Sequence, residues 1–260
     1  MSSTVGAEVA LIRVGTSGWQ YKDWKGTFYP EKLPTSKWLQ YYVQHFPTVE
    51  VNASFYRLLR EDPVRRWREQ APPGFEFVLK GSKFITHNLK LGRPEEPLRR
   101  FFEPAQPLLD IVPVILWQLP PKWKRNVERL DEFLAALPAG PRYAVEFRET
   151  SWYHEDVFAV LERHNASHCW ISTNWFDADF TATGDFVYVR FHGLHEGYLY
   201  DYSDEELEPW AQRLLAAHEQ GKDAWVFFNN DWHANAIRNA NQLIAMLGDA
   251  ASPWPPPGAQ

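Results

Sequence analysis

Eight short apolar runs recur along the chain: Arg13–Trp19, Thr48–Phe55, Phe75–Gly81, Pro113–Leu119, Arg142–Phe147, His168–Ser172, Phe186–His192 and Ala224–Asn230. They are continuous rather than alternating, the pattern of parallel strands covered on both faces. Amphipathic stretches with helical spacing fall between and after them, at Lys37–Phe46, Pro63–Ala71, Leu98–Asp110, Val127–Leu137, His154–Asn165, Asp204–Gln220 and Trp232–Leu247. Ser203 before Asp204-Glu-Glu and Pro63 after Asp62 are helix-start signals. The alternation predicts an α/β protein, a single (β/α)8 TIM-like barrel. Phe176–Gly184 has no helical pattern, so the crossover after the sixth strand is expected to lack a regular helix.

Near the strand ends, alternation puts polar residues on the parity that faces the barrel interior: Glu50 and Asn52, Lys80, Gln118, Glu146 and Arg148, Arg190 and His192, and Asn229. In such barrels the strand C-termini carry the active site, so these side chains are expected to converge there. Arg148, Arg190 and Lys80 suit an anionic group such as phosphate or carboxylate. Glu50 and Glu146 then become acid and base, with His192 as a further proton carrier, provided their surroundings push the two carboxyl pKa values apart. The plainer alternative is a structural ionic layer, in which Glu50 and Glu146 neutralise Arg190, Arg148 or Lys80 beneath the rim.

A metal is the rival for Glu50, Glu146, His192 and His87. Lys80, Arg148 and Arg190 would repel a cation, so neither metal nor cofactor is expected. His87 lies in a long segment reaching Pro97, the length of a lid. Aromatic residues crowd the predicted rim: Trp19, Tyr21, Trp24, Phe55, Tyr56, Trp152, Tyr153, Trp175, Tyr198, Tyr200 and Tyr202. Each could pack a loop, and together they could wall a site for a sugar or a base. Trp19, Tyr56 and Trp152 are taken as substrate walls, with Asn52, His87, Gln118, Asn229 and Asn230 as polar contacts.

Length and composition bound this picture. The 260 residues suit one barrel over 1–250, and the proline-rich segment 251–260 reads as an extended, disordered tail. No apolar stretch approaches the roughly 20 residues of a membrane span, and Met1–Ala10 carries no targeting signal, so a cytoplasmic address is expected. The single cysteine, Cys169, allows no intrachain disulfide or thiolate cluster and reads as an inert core residue. Gly15-Thr-Ser-Gly18 lacks dinucleotide spacing, and phosphate-loop, serine-elbow and zinc-protease motifs are missing. The expected function is an acid–base enzyme (hydrolase, lyase or isomerase) acting on a small polar or phosphorylated substrate. The alternative is a nucleic-acid-binding or phosphodiester-cleaving barrel that uses the aromatic rim with Lys22, Lys25, Lys83, Lys90 and Arg93. The net charge of −6 weighs against it.

Seven blocks, in order, resemble the YecE-like family, a domain of unknown function numbered seventy-two. They are Gly15-Thr-Ser-Gly-Trp19 with Tyr21, Trp24 and Phe28-Tyr-Pro30; Val49-Glu-Val-Asn52 with Ser54-Phe-Tyr56; Phe77-Val-Leu-Lys80 with Ile85-Thr-His87; and Gln118-Leu-Pro-Pro121. Val145-Glu-Phe-Arg148 with Ser151-Trp152, Val189-Arg-Phe-His-Gly193, and Phe228-Asn-Asn-Asp231 with Asn239-Ala240 complete the set. The resemblance implies a TIM-like barrel with a polar cleft at the strand C-termini, likened to phosphate-cleaving and sugar-isomerising barrels that include apurinic-type endonucleases. It supplies no activity. The chain departs from the family's pattern at Asp231–Ile237, where a stretch containing glycine and proline is expected.

Overall fold

The computed structural model describes residues 10–255. Eight parallel strands close a barrel in chain order: β1 (Ile12–Ser17), β2 (Thr48–Val51), β3 (Glu76–Lys80), β4 (Val114–Gln118), β5 (Arg142–Glu146), β6 (Ser167–Ser172), β7 (Phe186–Phe191) and β8 (Asp223–Phe228). Around it run α1 (Trp38–Tyr42), α2 (Ala53–Tyr56), α3 (Glu61–Gln70), α4 (Glu95–Phe102), α5 (Val127–Ala135), α6 (Glu155–Arg163), α7 (Asp204–Glu219) and α8 (Asn235–Leu247). As the sequence predicts, no helix joins β6 to β7. The Ser203 hydroxyl accepts from the Glu206 amide and the Glu206 carboxylate accepts from the Ser203 amide, a reciprocal cap for α7.

The interior is filled in three levels. At the N-terminal end Arg13 pairs with Glu76 at 2.9 Å and Asp223 at 3.1 Å, while the Trp225 indole donates to Glu76 at 2.8 Å. Above them Val78, Leu116, Ala144, Cys169, Tyr188 and Phe227 form an apolar plug. Burying such a side chain favours folding by about 1.5–3 kcal/mol. Apolar residues can thus fill this barrel, and the charged third level needs its own explanation. Burial pushes the Cys169 thiol well above its ordinary pKa, which keeps it unreactive as expected. The register sets Ser17 beside Glu50 and Gln118 beside Glu146, so the polar strand ends stand level in that third layer.

Several elements differ from expectation. The stretch Leu98–Asp110 is split: α4 gives way to a 3-10 run over Glu103–Ile111, where Pro104 and Pro107 offer no amide for α-helical bonding. The helix expected over Lys37–Phe46 shrinks to α1 behind a 3-10 turn at Thr35–Lys37. Before α8, His233 (φ 50°) and Ala234 (φ 61°) adopt left-handed backbone. Glycine enters that region without steric cost, and this is the place where the sequence departs from the family's glycine-containing pattern. The segment taken as a loose tail is docked as far as it is described. Ser252 donates to the Ile12 carbonyl at 2.8 Å, and Trp254 donates to the Val43 carbonyl at 2.9 Å and packs on Phe75. Residues 256–260 lie outside the described residues.

Trp254 therefore ties the C-terminal segment to the apolar layer between the barrel and its helices. Trp254→Ala is expected to lower the unfolding free energy by about 2 kcal/mol, less than the 3–5 of a core tryptophan because the ring is half-buried. Urea denaturation measures it; an unchanged midpoint would mean that the segment contributes nothing.

Candidate active site

Arg190, on β7, is the centre of the charged level. Its Nη2 donates to Glu50 Oε1 at 2.7 Å, and its Nη1 donates to Glu146 Oε2. The Tyr188 hydroxyl donates to the other Glu50 oxygen at 2.7 Å, and Arg148 Nε to the other Glu146 oxygen at 2.6 Å. Glu50 and Glu146 are wholly buried, and every carboxylate oxygen is occupied. Burial alone would raise both carboxyl pKa values; Arg190 and Lys80 at Glu50, and Arg148, Arg190 and His192 at Glu146, reverse this and hold both below the usual range. The two are driven the same way, not apart. The geometry thus corrects the acid–base assignment of Glu50 and Glu146 and matches the ionic layer named as the plainer alternative.

His192 belongs to the same floor. Its Nε2 lies 3.4 Å from Glu146 and 3.3 Å from Arg190, its Nδ1 3.3 Å from Asn229, and its ring rests on Trp175. Burial, opposed by Glu146 and reinforced by Arg190, lowers its pKa to about 4. His192 is neutral at physiological pH and is not among the residues that line the cavity.

Above the floor opens a cavity of about 450 Å³ at the C-terminal rim. Asn52, Tyr56, Lys80, His87, Gln118, Arg148, Arg190 and Asn229 line it. Arg148 rests on Trp175, 4.7 Å from the ring centroid, and its terminal amino groups have no protein partner among the described residues. His87 is edge-on to Phe55 and accepts or donates at Thr86 Oγ1, 2.9 Å away. Burial, with the charges of Lys83, Arg148 and Lys80, lowers its pKa to about 4, so it too is neutral. The segment read as a lid forms a single π-helical turn at Phe84–Asn88, anchored by buried Ile85, Thr86 and Leu91. It is a wall. A second, more apolar cavity of about 640 Å³ adjoins, sharing Phe55, Tyr56 and Lys83 but none of the charged floor.

Three expected contacts lie elsewhere. Gly18 (φ 102°) breaks the alternation after β1 and turns Trp19 outward against Trp67 and Phe77. Trp152 is buried face-to-face on Phe147 and donates to the Trp123 carbonyl at 2.6 Å. Asn230 is buried on the outer parity and donates to Asn239 at 2.7 Å and the Tyr200 carbonyl at 2.8 Å, tying β8 to α8. All three support loops instead of facing the cavity.

The walls also include Tyr21, Phe55 and Tyr198 from the aromatic rim, Lys83, named only for the nucleic-acid alternative, and Asp231, to which the sequence reading gave no role. Asp231 is the most informative. Burial pushes its carboxyl up to about 6, against a lowering by the Tyr21 hydroxyl and with a further rise from Asp23. It stands two residues beyond Asn229, past the end of β8 and in helical backbone, where strand alternation no longer assigns a side. Among the described residues no three His, Cys, Asp or Glu side chains gather at metal-binding spacing. The carboxylates of the floor are occupied by guanidinium groups.

Fold and site together define a (β/α)8 barrel with a cationic, aromatic-walled cavity at the strand C-termini. The chain belongs to the family described as "Protein of unknown function DUF72", which it matches over residues 13–260. It is 28% identical to the UPF0759 protein YunF of Bacillus subtilis, covering 91% of this chain and 95% of that one. The UPF0759 protein YecE of Escherichia coli is 29% identical over 55% of this chain and 50% of its own. Among solved structures, a DUF72 family protein of Thermotoga maritima superimposes with a TM-score of 0.82 at 33% identity, covering 91% of this chain and 99% of that one. Another, of Enterococcus faecalis, shares the fold at 22% identity with a TM-score of 0.79, over 91% and 95% of the two chains.

The floor has a pH signature. Carboxyls depressed in the folded state contribute stability that is present above their unfolded value of about 4.3 and is lost as pH falls through the folded value. Arg190→Met leaves buried Glu50 with no guanidinium partner and Glu146 with Arg148 alone, and should cost about 3–5 kcal/mol at neutral pH, shrinking in acid as the carboxylates protonate. Urea unfolding at neutral and acid pH measures this. A loss under about 1 kcal/mol, the worth of an exposed pair, would contradict it.

Proposed function

We propose that the protein is an enzyme that acts on a small anionic substrate by acid–base chemistry in the rim cavity. The observation that carries the reading is the division of labour in that cavity. Glu50, Glu146 and Arg190 are locked into a floor that the Arg148 Nε completes, while Arg148 keeps its terminal amino groups free and Lys83 adds charge at the wall. Free guanidinium N–H groups match carboxylate or phosphate oxygens. Two wall groups titrate near neutrality: Asp231 at about 6, and Lys80, which burial and the Arg190 charge lower to about 7 against Glu146 and Glu50. Such groups are suited to general acid–base work. Asn52, Gln118 and Asn229 supply polar contacts, with Tyr21, Tyr56 and Tyr198 as walls. Among the described residues no helix is long and apolar enough to cross a membrane. The same reading places the activity in the cytoplasm, whose reducing conditions suit a chain with one buried thiol.

Inorganic phosphate, sugar phosphates and small carboxylates, screened by thermal shift, test the reading; a ligand at 100 times its Kd stabilises by about 2.7 kcal/mol. Arg148→Ala should weaken binding at least tenfold, about 1.4 kcal/mol, by calorimetry. Affinity should fall as pH rises through about 6, where Asp231 gains charge, and again through about 7, where Lys80 loses it. No stabilising ligand, or equal binding by Arg148→Ala, would overturn the proposal.

A further inference from the structure

Lys80 is the one floor residue that the ionic network does not absorb. Two carboxylates, Glu50 and Glu146, are matched by two guanidiniums, Arg190 and Arg148. Lys80 is surplus. Its Nζ makes no hydrogen bond or ion pair among the described residues, lies 4.2 Å from the centroid of the Phe55 ring, and opens onto the cavity. Only 5% of the residue is exposed. The charged and titratable groups facing it are Glu50 from β2, Glu146 from β5 and Arg148 just beyond it, Arg190 from β7, and Lys83 and the neutral His87 from the segment that follows β3. Protonating Lys80 gives the floor an unmatched positive charge, and deprotonating it leaves the floor neutral. The backbone beneath is fixed: Ser54 donates to the Lys80 carbonyl at 2.7 Å, and a Cβ on Gly81 would stand 2.1 Å from the Trp117 ring, so only glycine lets the strand end here.

We propose that Lys80 is an amine nucleophile that forms an imine with a small carbonyl compound bearing an anionic group. This rests on the anion-binding reading of the cavity and narrows the substrate to aldehydes, ketones or 2-oxo acids. The Nζ lone pair attacks the carbonyl carbon, and the C–O π pair moves to oxygen, which takes up a proton. The nitrogen gives up one of its protons to the same oxygen, which leaves as water as the nitrogen lone pair closes the C=N bond, and a protonated imine remains. Overall, amine, carbonyl compound and one proton give an iminium ion and water. Asp231, titrating near 6, supplies the proton and later receives one. The iminium carbon draws the electron pair of a neighbouring C–H or C–C bond, so the reaction class is lyase or isomerase rather than hydrolase. A desolvated lysine beside another cationic group is how proteins keep such an amine unprotonated.

The test uses the intact protein with sodium cyanoborohydride, which delivers hydride to the iminium carbon and fixes the adduct as a secondary amine. Glyoxylate is the anionic probe and acetaldehyde the neutral one; peptide mass mapping reads the site. Glyoxylate should label Lys80 at least tenfold faster than the exposed Lys83, faster than acetaldehyde does, and not at all at position 80 of Lys80→Met. Labelling of Lys80 no faster than Lys83 overturns the inference, because regioselectivity is read in the unaltered protein. Should phosphate or glyoxylate then still stabilise the protein through Arg148, the anion reading stands without it. Rapid labelling by both probes equally keeps the nucleophile and overturns the anion requirement.

Discussion

Arg190 reaches from β7 to Glu50 on β2 and Glu146 on β5, binding three strands through one fully buried guanidinium. Removing two carboxylates and a guanidinium from water is costly, and the arrangement repays that cost only because every carboxylate oxygen accepts a hydrogen bond and both terminal nitrogens of Arg190 donate one. Tyr188 and Arg148 complete the set; the Arg190 Nε alone among the Arg190 donors lacks a partner. With the carboxylates saturated, their capacity to exchange protons is gone. The chemistry moves one layer outward, to groups the network leaves free.

The apolar plug beneath insulates this layer from the N-terminal cluster of Arg13, Glu76, Arg142 and Asp223, which closes the other end with its own pairs. The upper floor must therefore balance its charge locally. Glu50 and Glu146 are satisfied by Arg190 and Arg148, so a third cation is unwelcome and Lys80 is poised between two protonation states. Asp231, half-buried beside Tyr21 and near Asp23, is poised from the opposite side. An amine made less basic and a carboxyl made less acidic within one 450 Å³ cavity form a proton-transfer pair.

The barrel was legible because its signals are periodic. Continuous apolar runs marked the strands, parity put Glu50, Lys80, Gln118, Glu146 and Arg190 inside, and the missing pattern over Phe176–Gly184 marked the missing helix. Parity stops predicting where the chain leaves the strand: Gly18 turned Trp19 away, and a 3-10 turn carried Trp152 onto Phe147. Which charges are spent and which stay free was not legible either. Spacing shows that Glu146 shares a layer with Arg190, but only the three-dimensional pairing shows that both carboxylates are saturated and Lys80 is not. Asp231, past the end of β8 and in helical backbone at the start of a 3-10 turn, was not legible because parity stops predicting there too.

The central claim is that the floor is electrically complete without Lys80. Selective 13C labelling of lysine ε-carbons, with the Lys80 resonance assigned by its absence from Lys80→Met, measures that side chain's titration directly by NMR. The account predicts a midpoint at about 7, set by burial and the Arg190 charge over the pull of Glu146 and Glu50. A midpoint at about 10.4, the value of a solvated lysine, would show that the carboxylates still have charge to give, and would contradict it.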